Sequence, residues 1–226
     1  SIQMSSGDSV EGNSGSLNLA AGLSSAGLGG DVLIHAGDGN KGGNVILRSG
    51  VGSDMGGTIR VQAGSSGTSS GGAISIESGL SRGQSSGDVK ISSAGGSSES
   101  GKVSLATGAA SGGRSGSISI ASGDGNADST GSVSLKAGTS IQGNGGEVHI
   151  EAGRGLFQGG DVAIQSGSSS QGLGGKLSVM SGQGNTGKSG DVSIASAGTE
   201  SNDSGGSSIQ TGDAASGSSG SIAIEV

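Results

Sequence analysis

Aliphatic residues in this protein come two at a time, two positions apart, and the pairs recur at an almost fixed interval. The first members are Ile2, Leu17, Val32, Val45, Ile59, Ile74, Val89, Val103, Ile118, Val133, Val148, Val162, Leu177, Val192 and Ile222, with Ser207 in the first place once. The second members are Met4, Leu19, Ile34, Leu47, Val61, Ile76, Ile91, Leu105, Ile120, Leu135, Ile150, Ile164, Val179, Ile194, Ile209 and Ile224. Of the fifteen spacings between the sixteen copies, eleven are 15 residues, three are 14 and one is 13. Self-similarity at a short fixed period is the signature of a repeat architecture and takes precedence over any local motif.

Positions around each pair are constrained as well. Two residues after the pair stands Ala, Ser or Thr, as at Ala36, Ala63, Ser122, Ala152 and Thr211. Gly follows in thirteen of fifteen linked copies, Ala94 and Ala197 being the exceptions. Two residues further on lies another small residue, for example Ser24, Gly39, Ser66, Ser81, Gly125, Ser140 or Gly184. Each pair is preceded by a Gly-Gly, Ser-Gly or Thr-Gly step, such as Gly29-Gly30, Ser115-Gly116 and Thr130-Gly131. Variation in length and chemistry concentrates in the roughly four residues between these blocks, the usual place for loop tips.

The alternation V-x-I-x-A has period two, which predicts a strand with one apolar face. The intervening positions hold Ser75, Lys90, Ser104, Ser119, Ser134, Lys136, His149, Ser178 and Ser193, expected to face outward. No stretch has helical periodicity, and Gly costs a helix about 1 kcal/mol per residue. The expected fold is therefore all-β.

One strand with two aliphatics cannot make a core, so repeats must stack. Two β-solenoid layouts compete. In one, each repeat of about 15 residues is a complete coil. In the other, consecutive repeats lie in opposite sheets, two repeats to a coil, and both walls are aliphatic. The second buries more apolar area and sets large residues against small ones across the sandwich, and it is preferred. It predicts an inward ladder that includes Ile34, Ile59, Ile76, Val103, Ile120, Val133, Ile150, Ile164, Ile194 and Ile224.

Composition removes most functional classes. The protein has 226 residues, 54 of them Gly, with no Pro, Cys, Trp or Tyr and a single aromatic, Phe157. Collagen needs Pro and a strict Gly-X-Y period. Disulfide scaffolds, Cys-based zinc sites and thiol enzymes need cysteine. The net charge of −7 is spread singly over 18 acidic and 11 basic residues. Without a basic stripe or aromatic stacking platforms, nucleic-acid binding has no footing. No segment approaches the roughly 20 apolar residues that span a bilayer as a helix.

Several motifs imitate chemistry. Residues 182–189, Gly-Gln-Gly-Asn-Thr-Gly-Lys-Ser, match the phosphate-loop pattern but lead into another repeat instead of the helix whose amides cradle phosphate. Residues 37–42 match a dinucleotide fingerprint and fail for the same reason. Gly79-Leu80-Ser81-Arg82-Gly83 imitates a nucleophile elbow, yet His35 and His149 lie at outward positions with no paired acid implied. Asp38, Asp124 and Asn126 hint at calcium loops, but the nonapeptide calcium pattern does not repeat, and turn formation explains them better. Calcium is the single cofactor worth naming, and no cofactor is expected. A row of Thr suited to ice is absent, and so are the acidic and basic clusters of a polysaccharide-cleaving groove. Asn202-Asp203-Ser204 is the one N-glycosylation sequon, so Asn202 is the candidate for a covalent glycan, with Ser and Thr at the tips for others.

The repeat G-G-x-V-x-I-x-A-G, with its Gly/Ser connections, resembles the Gly/Ser-rich β-solenoid proteins of extracellular fibres, adhesins and cell surfaces, and the resemblance extends over all the residues. It implies a secreted, non-enzymatic structural role, with an adhesin-type, ice-binding or glycan-binding module as the alternative. The array reads as one continuous unit over residues 1–226 that begins and stops in phase, without polar caps. Such an array is expected to be a segment of a longer one or a polymerising unit. Ile2 and Met4 at one end and Ile222, Ile224 and Val226 at the other would then continue the ladder, with further copies of the same protein as the partner.

Overall fold

The computed structural model describes residues 1–126 and 129–225, and it divides into two units, Ser1–Gly116 and Ser117–Val226. Among the described residues there is neither helix nor strand. The all-β solenoid expected from the alternating pattern is therefore not what this sequence forms, in either the two-repeat or the one-repeat layout. What recurs is a closed loop.

Counting the first aliphatic of each pair as position 0, the loop runs from the small residue at +4 to the glycine at −2 of the next repeat. In the first unit, Gly30, Gly43, Gly57, Gly72 and Gly87 donate their amides to the carbonyls of Gly22, Gly37, Gly50, Gly64 and Gly79 at 2.9–3.0 Å. In the second unit, Gly146, Gly160, Gly175 and Gly190 do the same to Gly138, Gly153, Gly167 and Gly182 at 2.9–3.0 Å. Each loop thus has touching ends, the defining property of an Ω-loop. In the first repeat the joint is made differently, by the Ser6 hydroxyl donating to the Gly15 carbonyl at 2.7 Å.

The small residue at +4 and the glycine at −2 exist for one another. A Cβ on Gly43 would lie 3.1 Å from the Ala36 methyl, on Gly72 3.3 Å from Ala63, and on Gly131 3.2 Å from the Ser122 Cβ. The same meeting recurs at all fifteen junctions, loosest between Gly205 and Ser196 at 4.0 Å. A larger residue on either side would hold the loop ends apart. All seven junctions with a Gly-Gly step carry the closing bond, and Ser86-Gly87 and Ser189-Gly190 carry it too. Length variation sits wholly inside the loop, because the bond spans eight residues in a 15-residue repeat, seven at Gly57–Gly50 and six at Gly43–Gly37.

Two tip designs recur. In five 15-residue repeats with Ser at +7, its hydroxyl accepts the amide three residues on: Gly27 to Ser24 at 2.9 Å, Ser69 to Ser66 at 2.9 Å, Gln84 to Ser81 at 3.0 Å, Gly143 to Ser140 at 2.8 Å and Gly172 to Ser169 at 2.8 Å. These are Ser-type turns that replace a backbone acceptor with a hydroxyl. In the three 14-residue repeats +7 is instead Gly52, Gly96 or Gly155. There the backbone folds back so tightly that a Cβ would run into the carbonyl oxygen of Met55, Glu99 or Gln158 respectively. All three shorter tips fold back in this way at glycine, and so does the tip of one 15-residue repeat at Gly184, where a Cβ would meet the Gly187 and Lys188 carbonyl oxygens.

Between loops, the segments carrying the aliphatic pairs remain unpaired. Side chains at +1 and +3 do reach one another, as an alternating segment allows. Arg60 Nε donates to Gln62 Oε1 at 2.9 Å, Ser75 Oγ to Glu77 Oε1 at 3.3 Å, and His149 Nε2 stands 3.2 Å from Glu151 Oε2. Among the described residues no ladder links one segment to the next. The large-against-small packing expected across a sandwich is replaced by packing of the small residue on its own loop glycine.

No residue among those described is a buried core residue. Ile34, Ile59, Ile76, Val103, Ile120, Val133, Ile150, Ile164, Ile194 and Ile224 are all exposed, so they form no inward ladder. The first members of the pairs from Val32 onward are 47–60% exposed and the second members from Ile34 onward 64–91%. The physical reason is the balance between burial and conformational entropy. Fixing Gly-rich backbone is costly, and two aliphatics per repeat offer too little apolar area to offset it within a single molecule.

Candidate functional site

The repeating unit is itself the most organised feature of the molecule. Each loop joint fixes the glycine at −2, and the first aliphatic follows two residues later. The pair, the +1 and +3 side chains and the next small residue then come in the same order. Around Val148 and Ile150 this gives a half-exposed valine, an exposed isoleucine and, alternating with them, His149 and Glu151 in contact at 3.2 Å. The arrangement offers apolar surface at regular intervals with polar groups beside it. It offers no converging acid, base or nucleophile among the described residues.

The motifs that imitate catalytic or binding sequences are absorbed into the same loops. In residues 182–189 the Gly190 amide is occupied by the Gly182 carbonyl at 3.0 Å, and Lys188 pairs with Asp191 Oδ1 at 3.1 Å. A Cβ on Gly184 would meet the Gly187 and Lys188 carbonyl oxygens at 2.5 and 2.6 Å, so the loop interior is filled by its own carbonyls. That is a joint lined with acceptors, the opposite of a phosphate cradle. In residues 37–42 the Gly37 carbonyl accepts from Gly43, and Lys41's carbonyl crowds Gly39. Ser81 of the elbow-like sequence accepts the Gln84 amide, which makes it a tip residue. His35 lies with Nδ1 3.4 Å from the Ala36 carbonyl.

Among the described residues no three His, Asp or Glu side chains gather where a metal ion could be held, and no pocket is present. Asp38 lies in one tip, and Asp124 and Asn126 in another. Asn202 is exposed, and its backbone carbonyl accepts the Thr199 hydroxyl, leaving its sequon on an open loop. Of the terminal residues, Ile2, Met4, Ile222 and Ile224 are exposed, and Val226 lies outside the described residues. Among the described residues no sheet edge exists for them to extend, so the edge-pairing contact expected of the ends has no template. Among the described residues no helix is long and apolar enough to cross a membrane.

The small residues at +4 and +7 are plain in the sequence, but their separate tasks are not. A signal for the second task exists: all six Ser at +7 belong to 15-residue repeats, and all three 14-residue repeats carry Gly, although Gly125 and Gly184 stand at +7 of 15-residue repeats as well. Comparison with models of known protein families, with curated proteins and with solved structures finds no match.

Proposed function

We propose that this protein is non-enzymatic and structural, a repetitive stretch of an extracellular filament or surface appendage that associates with further copies of itself through its aliphatic pairs. The observation that carries this reading is the uniform exposure of those pairs: they recur in phase along the sequence, and none is covered within the molecule. Apolar surface left open in a regular pattern marks an interaction surface. A second copy has the same spacing and so meets it pair for pair. Each contact is weak, but contacts that share a common register add, because every one formed raises the effective concentration at the next. Nine of the loops are closed by a backbone bond and the first by the Ser6 hydroxyl, which helps to keep the spacing without a core.

Extracellular placement is supported by the resemblance to Gly/Ser-rich surface proteins and by the Asn202 sequon, which a secretory route would glycosylate. Sedimentation of the purified protein over a wide concentration range, with negative-stain imaging of the same samples, tests the reading. Filaments or a concentration-dependent series of assemblies are expected. A single monodisperse monomer at the highest concentration would overturn it.

A further inference from the structure

We propose that Asn144-Gly145 is a self-modifying site, at which the protein turns its own asparagine into aspartate and isoaspartate without an enzyme. The reaction is attack of the Gly145 backbone nitrogen on the Asn144 carboxamide carbon. A new bond from that nitrogen to the carboxamide carbon closes a five-membered succinimide. The bond between the carboxamide carbon and its NH2 group breaks, the Gly145 nitrogen loses its proton and ammonia leaves. Water then opens the ring at either carbonyl, giving Asp or its isomer with an extra methylene in the backbone. No oxidant or cofactor is required.

Three features place the reaction here. Asn144 is the only asparagine followed by glycine; Asn13, Asn18, Asn40, Asn44, Asn126, Asn185 and Asn202 precede residues with side chains, which shield the attacking nitrogen. Glycine alone lets the nitrogen be approached closely. Asn144 is exposed, and among the described residues neither its carboxamide nor the Gly145 N–H has a hydrogen-bond partner. The flanking groups are anchored, Gly143 on Ser140 at 2.8 Å and Gly146 on Gly138 at 2.9 Å, so the reacting pair is the free link between two fixed points. Conversion adds a negative charge close to Glu147, and the isomer lengthens the loop that the Gly146–Gly138 bond closes.

The test is peptide mapping of the full-length protein incubated at mildly alkaline pH, with the mass gain of amide-to-acid conversion followed at every asparagine. Asn144 is expected to convert first and to yield both Asp and isoaspartate. Gly145→Ala isolates the chemistry, because a Cβ at this position meets nothing within 4 Å and leaves the joint undisturbed. That variant is expected to slow conversion severalfold while the residue 146 amide stays protected. If Asn144 converts no faster than the other asparagines, or if Gly145→Ala leaves its rate unchanged, the proposal is wrong.

Discussion

Ala137 and Gly146 meet face to face across the base of a loop: a Cβ on Gly146 would stand 3.2 Å from the Ala137 methyl and 3.3 Å from the Gly138 nitrogen. The same closeness lets the Gly146 amide reach the Gly138 carbonyl at 2.9 Å. Gly146→Val is therefore expected to open this joint. A typical hydrogen bond contributes about 1 kcal/mol net, roughly a fivefold change in the closed-to-open ratio. Amide exchange at residue 146 should accelerate by about that factor, with neighbouring loops unchanged. Gly145→Ala is the control; it should leave the residue 146 amide as protected as before.

Tip length should follow the residue at +7. Gly155→Ala forces a Cβ into the Gln158 carbonyl, so the tip backbone must move. Ser140→Ala merely frees the Gly143 amide, which is exposed and can turn to water, at a cost near or below about 1 kcal/mol. Backbone amide shifts in NMR should change throughout residues 153–160 in the first variant, and only around residues 140–143 in the second. Equal, local perturbations in both would mean that the glycine is not required by the shorter loop.

Period, phase and loop position were all legible in the residues; sheet pairing was not. Val148, Ile150 and Ala152 alternate as a strand would, and the His149–Glu151 contact shows that the local alternation is real. A strand, however, is a relationship with a partner. Two aliphatics among glycines and serines specify a face without specifying what covers it. The same ambiguity hid the tips, where Ser140 and Gly155 read alike as small residues. Their difference is a hydroxyl that accepts an amide in one loop and an absent Cβ in the other.

The absence of helix and strand among the described residues has a direct spectroscopic consequence. Far-ultraviolet circular dichroism of the dilute protein is expected to show neither a helical nor a sheet signature. Heating should change it gradually, since no core is present among the described residues to melt cooperatively. A strong sheet minimum with a sharp transition in a sample shown to be monomeric would contradict this architecture.

Association through the aliphatic pairs makes a prediction about charge. Val148 and Ile150 are 47% and 65% exposed, so a second copy has roughly half of each side chain left to cover. Full burial of such a residue is worth about 1.5–3 kcal/mol, and half of that for two residues is on the order of 2 kcal/mol per pair. Val148→Asp with Ile150→Asp removes this gain and places carboxylates where a partner's apolar surface would sit, which costs more still unless they are paired. Since about 1.4 kcal/mol is tenfold in an equilibrium constant, the concentration at which assemblies first sediment should rise by tenfold or more. Ser104→Asp with Ser119→Asp adds the same charge between the aliphatics of other pairs, and should raise it far less. Raising the salt concentration separates the two effects, because it screens the general repulsion of a protein with net charge −7 while leaving lost apolar contact unrepaired. Added salt is therefore expected to restore assembly of the serine variant and not of the aliphatic one. Equal behaviour of both in low and high salt would show that net charge, and not the pairs, controls association.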